Sequence, residues 1–220
     1  MFRIKICGVT STGDARAAAD AGADAVGLNF FRKSRRFIEP ESAKQIASSL
    51  PAGVTKVGVF VNHAPREIVE IVRQVNLDVV QLHGDEPPAL LAELPKSVRI
   101  VRAHRCGADG LESLVQYLDD AGSSGRMPDA VLIDADAGAD FGGTGRRADW
   151  SLVARQRSTF AGLPLILAGG LSPDNVAEAI AAVRPDGVDV ASGVEAQPGV
   201  KDHELVSRFI SQAREAFSHL

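Results

Sequence analysis

A thiol and a carboxyl group each stand at the end of a short apolar run that has the pattern of a strand. Cys7 ends an alternating run and is followed by Gly8, so its thiol lies where a strand passes into a loop. Asp134 ends the apolar run 130–133 and precedes the glycine-rich stretch 141–145. Together the two groups form a candidate base and acid for proton transfer. Each also has a structural interpretation, since cysteine is often a small buried hydrophobe and aspartate often caps a helix.

These two residues belong to a longer series of strand-like runs. An aspartate precedes an apolar run at four roughly evenly spaced places, namely Asp24, Asp78, Asp129 and Asp186. A further strand-like run precedes each of them, at 4–7, 56–61, 99–103 and 163–168. The sequence therefore predicts eight strands.

Segments with a period near 3.6 residues separate the predicted strands, as expected for helices. We predict helices over 12–21, 40–49, 65–74, 87–94, 110–121, 148–157, 173–183 and 202–217. Strands that alternate with helices form a parallel sheet, because each crossover carries the chain back. Eight such units predict an α/β fold, a single-domain (β/α)8 TIM barrel with eight parallel strands over residues 1–220. The alternative is an open doubly wound sheet, which more often carries a Gly-x-Gly-x-x-Gly turn after its first strand.

The composition limits the partners and the location. Hydrophobic residues make up 45% of the chain and the formal net charge is −4, so the chain as a whole does not attract nucleic acid or anionic membranes. We find no signal-peptide pattern and no membrane-spanning stretch, and expect a cytoplasmic protein without membrane or nucleic-acid partners. Cys7 and Cys106 are expected to be free thiols, and no Cys/His clustering predicts a metal site.

In a barrel of this type the reacting groups lie at the carboxyl ends of the strands. The residues there are unusually polar for strands that feed an apolar core: Cys7, Asn29, Asn62, Gln81, His83, His104, Asp134, Gly169, Gly170, Ser192 and Gly193. The last four follow the final two predicted strands, where backbone N–H groups near a helix start bind phosphate. Glycine pairs also form tight turns that bind no ligand.

Five segments in chain order resemble phosphoribosylanthranilate isomerases, and together they span nearly the whole chain. They are Ile-Cys-Gly-Val-Thr at 6–10, Gln-Leu-His-Gly at 81–84, Phe-Gly-Gly-Thr-Gly at 141–145, Leu-Ala-Gly-Gly-Leu at 167–171 and Val-Asp-Val-Ala-Ser-Gly-Val-Glu at 188–195. The resemblance implies a cofactor-independent Amadori rearrangement in tryptophan biosynthesis. N-(5-phosphoribosyl)anthranilate would be converted to 1-(2-carboxyphenylamino)-1-deoxyribulose 5-phosphate.

The same resemblance implies the roles of individual residues. Asp134 protonates the furanose ring oxygen, and Cys7 then removes the proton from C2 of the resulting Schiff base. Arg36 binds the anthranilate carboxylate, for which a guanidinium offers two parallel donors, although a solvated basic loop is the alternative. Asp189 binds a sugar hydroxyl or is a buried structural carboxylate, and His83 lines the pocket or is a satisfied core histidine.

The proposed chemistry requires particular protonation states near neutral pH. A base must be available deprotonated and an acid protonated, so we expect the pKa of Cys7 to be lowered and that of Asp134 to be raised. Lys5 lies two residues before Cys7 on the same strand face. We therefore hypothesise that the Lys5 ammonium stabilises a Cys7 thiolate.

Two other functions compete with this interpretation. The related histidine-pathway isomerase carries aspartates at strands one and five, where this chain has Cys7 and His104. A non-catalytic phosphate-ligand sensor or partner subunit would keep the same pocket. The expected partner is a small-molecule phosphosugar, and the sequence does not distinguish a monomer from a homodimer.

Overall fold

The computed structural model describes residues 1–106, 111–134, 150–160 and 162–220, and eight parallel strands form a closed barrel in these residues. The strands are β1 (Ile4–Cys7), β2 (Ala25–Asn29), β3 (Thr55–Phe60), β4 (Val79–Leu82), β5 (Arg99–Arg105), β6 (Ala130–Asp134), β7 (Leu165–Ala168) and β8 (Gly187–Val190). Consecutive strands pair in parallel, and β8 pairs with β1 to close the barrel. The predicted (β/α)8 TIM barrel is confirmed, and the open doubly wound sheet is excluded.

Helices follow the strands and cover the outside of the barrel. They are α1 (Thr12–Asp20), α2 (Pro40–Ser49), α3 (Pro65–Val75), α4 (Leu90–Glu93), α5 (Glu112–Ser123), α6 (Trp150–Arg155), α7 (Val176–Val183) and α8 (His203–Ser218). We predict one helix over 87–94, but only the short α4 forms, because a proline disfavours the helical conformation of the residue before it. Pro88 acts in this way on Pro87, and Pro95 acts on Leu94, which is extended. No helix in the described ranges is long and apolar enough to cross a membrane.

A two-stranded antiparallel ribbon follows β8 and has no counterpart among the predicted elements. It consists of β9 (Glu195–Gln197) and β10 (Val200–Lys201), which a turn through Gly199 joins. Gly199 has a φ of 86°, a left-handed conformation that glycine adopts without strain. The Thr10 hydroxyl donates a 2.5 Å hydrogen bond to the Gly199 carbonyl, so the ribbon lies against the loop that follows β1.

The apolar side chains of the strands divide into two layers. One layer faces the helices and includes Ile4, Ile6, Val26 and Leu28. The other fills the barrel interior with small and branched residues: Ala25, Val57, Val79, Val101, Ala103, Ala130, Leu132, Ile166 and Ala168. Above this inner layer, polar residues of the inward face line a cavity at the carboxyl ends of the strands.

The repeated aspartates lie at the opposite, amino-terminal ends of the strands. Each accepts a hydrogen bond through its side chain from a backbone N–H of the neighbouring strand: Asp24 from Ile4 at 2.9 Å, Asp78 from Lys56 at 2.8 Å, Asp129 from Ile100 at 2.7 Å and Asp186 from Leu165 at 2.8 Å. Because the first N–H groups of these strands would otherwise lack a protein partner, the repeat is a device of the fold.

Candidate active site

A cavity at the carboxyl ends of the strands brings together most of the residues that the sequence singled out. Its lining includes Cys7, Arg36, His83, Asp134, Gly169, Gly170, Asp189 and Ser192. Gly193 lies behind this surface, since a Cβ placed there would collide with the carbonyl oxygen of Leu171. The cavity also includes Asn29, Gln81 and Arg105.

Cys7 is the last residue of β1, and Gly27 of the neighbouring β2 makes room for its side chain. A Cβ at Gly27 would lie 2.7 Å from Cys7 Sγ and 2.9 Å from Lys5 Cε. The thiol and the lysine stem are therefore neighbours on the inward face of the barrel, as the alternation along β1 predicts. In the described part of the chain neither Cys7 nor Cys106 forms a disulfide bond, as predicted.

Lys5 lies fully buried beneath the cavity, where three polar groups meet. Its Nζ donates hydrogen bonds to Asp189 Oδ2 at 2.7 Å and to Gln81 Oε1 at 2.8 Å. The other oxygen of Asp189, Oδ1, is buried and has no hydrogen-bond partner in the described part of the chain. Asp189 also lines the cavity, so its carboxylate lies next to the space that a ligand would occupy.

Burial raises the pKa of the Cys7 thiol above its ordinary value, and the negative charge of Asp189 raises it further. The positive charges of Lys5 and Lys201 act in the opposite direction and do not outweigh these effects. The expectation of a lowered Cys7 pKa is therefore wrong, because a single sequence does not show that the thiol is desolvated and lies near Asp189. The hypothesis about Lys5 has the correct sign, since its ammonium favours the thiolate.

A chain of side chains connects Lys5 to Asp134. Because an ammonium group only donates, the Gln81 amide oxygen faces Lys5 and its NH2 group faces His83 Nδ1 at 3.1 Å. His83 Nδ1 then accepts, and the ring proton lies on Nε2, which is 3.5 Å from Asp134 Oδ2. The neutral tautomer of His83 thus directs an N–H group towards the Asp134 carboxyl group. The expected rise in the Asp134 pKa stays a prediction.

Arg36 lies in the loop between β2 and α2, and Asn29 and Ser34 shape this loop. Asn29 Oδ1 accepts from the Phe31 N–H at 2.9 Å, and Ser34 Oγ accepts from the Arg36 N–H at 3.1 Å. The aliphatic stem of Arg36 lies directly against Gly8, where a Cβ would collide with it. The guanidinium is therefore held beside the loop that follows Cys7.

The loops after β7 and β8 present backbone to the cavity. Gly169 and Gly170 have φ values of 87° and 63°, which most other residues adopt only with strain. Asn175 fixes this loop, because its side chain donates to the Gly170 carbonyl at 2.9 Å and accepts from the Ser172 N–H at 2.8 Å. A short 3-10 turn, Ser192–Val194, follows β8 on the adjacent side. This arrangement suits an oxyanion such as phosphate.

Two residues predicted at strand ends, Asn62 and His104, do not line the cavity, and the sequence analysis missed several residues in it or next to it. The strand β5 continues to Arg105, so Arg105 faces the cavity and His104 does not. After β3, the residue that lines the cavity is Val61 and not Asn62. Glu195 binds Arg36, and Lys201 binds Glu195. Both residues lie in the ribbon β9–β10, which the sequence analysis did not predict. Only the alternation along β5, counted two residues further, would have found Arg105. The loop 141–145 lies outside the described residues.

Within residues 1–106, 111–134, 150–160 and 162–220, no group of three or more His, Cys, Asp or Glu side chains is placed to hold a metal ion. The ionisable groups that line the cavity are a thiol, two carboxyl groups, an imidazole and two guanidinium groups. Such groups transfer protons and bind anions.

Comparison with known proteins gives one family over nearly the entire chain. Residues 4–212 match the family model described as N-(5'phosphoribosyl)anthranilate (PRA) isomerase. An N-(5'-phosphoribosyl)anthranilate isomerase from Acidithiobacillus ferrooxidans is 46% identical, and the alignment covers 97% of this chain and 98% of that protein.

Solved structures give the same result. The crystal structure of phosphoribosyl anthranilate isomerase from Thermotoga maritima is 41% identical, with a TM-score of 0.87 and coverage of 98% of this chain and 100% of that one. A crystal structure of such an isomerase in complex with reduced 1-(o-carboxyphenylamino)-1-deoxyribulose 5-phosphate is 39% identical, with a TM-score of 0.83 and the same coverage.

Proposed function

The chain belongs to the N-(5'-phosphoribosyl)anthranilate isomerase family of tryptophan biosynthesis, and from this membership we propose the reaction and the roles of its residues. Residues 1–220 form one catalytic domain that converts N-(5-phosphoribosyl)anthranilate to 1-(2-carboxyphenylamino)-1-deoxyribulose 5-phosphate. The chain's own side chains perform the proton transfers without a cofactor. The observation that carries the proposal is that Cys7 and Asp134 line the same cavity.

Asp134 acts first, as the general acid. Its carboxyl group donates a proton to the furanose ring oxygen while the anilino nitrogen lone pair forms a C=N bond to C1. The bond between C1 and the ring oxygen breaks, and the product is an open-chain Schiff base with a free hydroxyl. His83 directs its Nε2 proton to Asp134 Oδ2 across 3.5 Å and holds the carboxyl group in place.

Cys7 acts second, as the general base. Its thiolate takes the proton from C2, and the electron pair of that bond forms a double bond between C1 and C2 while the C=N electrons return to nitrogen. The enolamine then gains a proton at C1 and loses one from the C2 hydroxyl, which gives the ketone. Because burial raises the pKa of Cys7, the thiolate is a minor species at neutral pH.

The two charged groups of the substrate are assigned to two places on the cavity rim. The phosphate is assigned to the backbone of Gly169, Gly170 and Ser192, with Gly193 allowing the close approach of the β8 loop to the Leu171 carbonyl. The ring carboxylate is assigned to Arg36. Asp189 Oδ1, which is buried and without a partner in the described chain, accepts a hydrogen bond from a sugar hydroxyl.

The test is an assay with N-(5-phosphoribosyl)anthranilate that follows the loss of anthranilate-type fluorescence. We expect the unmodified chain to consume the substrate and both Cys7→Ala and Asp134→Asn to lose activity. A wild-type chain that leaves the substrate untouched, or variants that match its rate, would overturn the proposal.

A further inference from the structure

Glu195 binds one edge of the Arg36 guanidinium through two hydrogen bonds. Arg36 Nε donates to Glu195 Oε1 and Arg36 Nη2 donates to Glu195 Oε2, both at 2.7 Å. This bidentate geometry fixes both the position and the plane of the guanidinium. The side chain of Glu195 is only 5% exposed, so little water competes for its oxygens.

The two hydrogen bonds to Glu195 leave a second edge of the same guanidinium for another partner. A guanidinium has five N–H donors, and Glu195 takes one from Nε and one from Nη2. The remaining Nη2 donor and one Nη1 donor point in parallel, in the geometry that matches a carboxylate. Since Arg36 lines the cavity and bonds to no further side chain of the described chain, this edge is available to a ligand.

A buried lysine sets the charge balance of the cluster. Lys201 Nζ lies 2.9 Å from Glu195 Oε1 and 3.0 Å from the carbonyl oxygen of Ala191, just before the Ser192 turn. Burial alone raises the pKa of Glu195, but the hydrogen bonds from Arg36 and Lys201 outweigh burial and hold it below its ordinary value. Two cations and one carboxylate carry a net positive charge, which one ligand carboxylate neutralises.

The ribbon that carries Glu195 is fixed to the barrel on several sides. The Lys201 N–H donates to Asp14 Oδ2 at 3.1 Å, and the Gly199 carbonyl accepts from Thr10. Asp14 also lies 2.9 Å from His203 Nε2 at the start of α8. Glu195 is thus held by a rigid element, whereas Arg36 comes from a loop.

We propose that Glu195 is a positioning residue that aims the free edge of the Arg36 guanidinium into the cavity and so selects substrates with a carboxylate on the aromatic ring. This inference rests on the proposed function, because it takes the anthranilate carboxylate as the partner of Arg36. Glu195 touches no reacting atom. It determines specificity through Arg36.

The experiment compares two ligands by calorimetry, the reduced 1-(o-carboxyphenylamino)-1-deoxyribulose 5-phosphate and its analogue without the carboxylate. The wild-type chain is expected to bind the carboxylated ligand roughly 100-fold more tightly, as for a close buried charge pair. Glu195→Gln places an NH2 group against an Arg36 N–H, so the guanidinium loses its fixed plane. The ratio of the two affinities is then expected to fall below roughly tenfold, and KM for the natural substrate to rise more than kcat falls.

Three further variants test whether the ratio of the two ligand affinities depends on how Glu195 positions Arg36. Glu195→Asp keeps the charge but withdraws the carboxylate by one methylene, and is expected to lower the ratio as well. Arg36→Met, with Glu195 intact, should bind the two ligands with similar affinity. Glu204→Gln removes the same charge from an exposed site on α8 and should keep the wild-type ratio. The loss of the Glu195 charge by itself strengthens the attraction for the carboxylated ligand, which carries one more negative charge, and would raise the ratio. A lowered ratio therefore has the opposite sign to a general charge effect.

The outcomes separate this inference from the proposed function. A Glu195→Gln chain and a Glu195→Asp chain that both retain the wild-type ratio overturn the inference, as does a wild-type chain with no preference for the carboxylate. A wild-type chain that fails to turn over N-(5-phosphoribosyl)anthranilate overturns the proposed function itself. Melting temperatures of all variants show whether a lowered ratio arises without loss of the fold.

Discussion

At the amino-terminal ends of the strands, four aspartates direct their oxygens at backbone N–H groups of neighbouring strands. At the carboxyl-terminal ends, Asp134 and Asp189 line the cavity instead. The same residue type therefore does two different kinds of work in one barrel. The difference lies in what the oxygens meet, a backbone donor at one end and a ligand space at the other.

The residues at the two ends of the strands also follow different patterns in the sequence. The evenly spaced aspartates mark the fold, because each carboxylate pairs with a strand that begins next to it. The candidate site residues are not periodic, since Cys7 ends β1, Arg36 lies in the loop after β2 and Asp134 ends β6. A repeat thus identifies the scaffold, and departures from the repeat identify the site.

The largest expected effect comes from matched substitutions at the two ends of β6. Asp134→Asn is expected to lower kcat/KM by roughly 10²- to 10⁴-fold, because the general acid is lost. Asp129→Asn, at the amino-terminal end of the same strand, is expected to leave kcat/KM unchanged. The fluorescence assay measures both, and equal losses in the two variants would erase the distinction between the ends.

Next in size is the buried ion pair beneath the cavity. Lys5→Met leaves Asp189 buried without its 2.7 Å partner, and is expected to lower the free energy of unfolding by about 3–5 kcal/mol. Urea unfolding measures this loss. The exposed Lys44 provides the control, since Lys44→Met removes the same charge from the surface of α2.

Lys5→Met also tests the electrostatics of Cys7. The Lys5 ammonium lowers the pKa of the thiol, so its removal is expected to shift the pH profile of Cys7 alkylation further towards alkaline pH. Mass spectrometry of the peptide that carries Cys7 follows the reaction with iodoacetamide. A profile identical to that of the wild type would show that Lys5 has no influence on the thiol.

A pair of glycines gives a third and smaller contrast. Gly8 and Gly53 have φ values of 72° and 99°, so alanine strains the backbone at either site, by about 1–2 kcal/mol. Only at Gly8 does the added Cβ collide with Arg36, whereas at Gly53 nothing lies within 4 Å. We expect Gly8→Ala to lower kcat/KM by roughly 10- to 100-fold through displacement of Arg36. Gly53→Ala should leave kcat/KM unchanged, and a similar loss there would refute this explanation.

The smallest effect concerns one hydrogen bond at the amino-terminal end. Asp129→Ala removes the acceptor of the Ile100 N–H, which lies 2.7 Å away, and is expected to cost about 1 kcal/mol of unfolding free energy. Asp119→Ala on the exposed face of α5 is the matched control. If Asp129→Ala alters catalysis but not stability, the structural assignment of the repeat is wrong.

The sequence predicted the barrel and most of the cavity because both depend on local patterns. Alternation along β1 and the residues next to Gly169 and Ser192 needed no knowledge of distant contacts. The helix within 87–94 is shorter than its apolar spacing predicts, because Pro88 and Pro95 disfavour the helical conformation at Pro87 and Leu94.

Other features depend on residues far apart in the chain. Lys5 pairs with Asp189 and Arg36 pairs with Glu195, contacts that close only when β8 meets β1. The raised pKa of Cys7 also follows from this closure, since it arises from burial and from Asp189. No spacing rule in a single sequence reports which charges a closed barrel brings together.

The most direct test of the central claim is a single-turnover measurement with enzyme in excess over N-(5-phosphoribosyl)anthranilate. Anthranilate fluorescence is followed for the wild type and for Cys7→Ser, whose affinity for the reduced product analogue is measured in parallel. We predict a decay in the wild type and a decay slower by at least roughly 100-fold in Cys7→Ser, with the affinity retained. A Cys7→Ser chain that decays at the wild-type rate would contradict the assignment of Cys7 as the base.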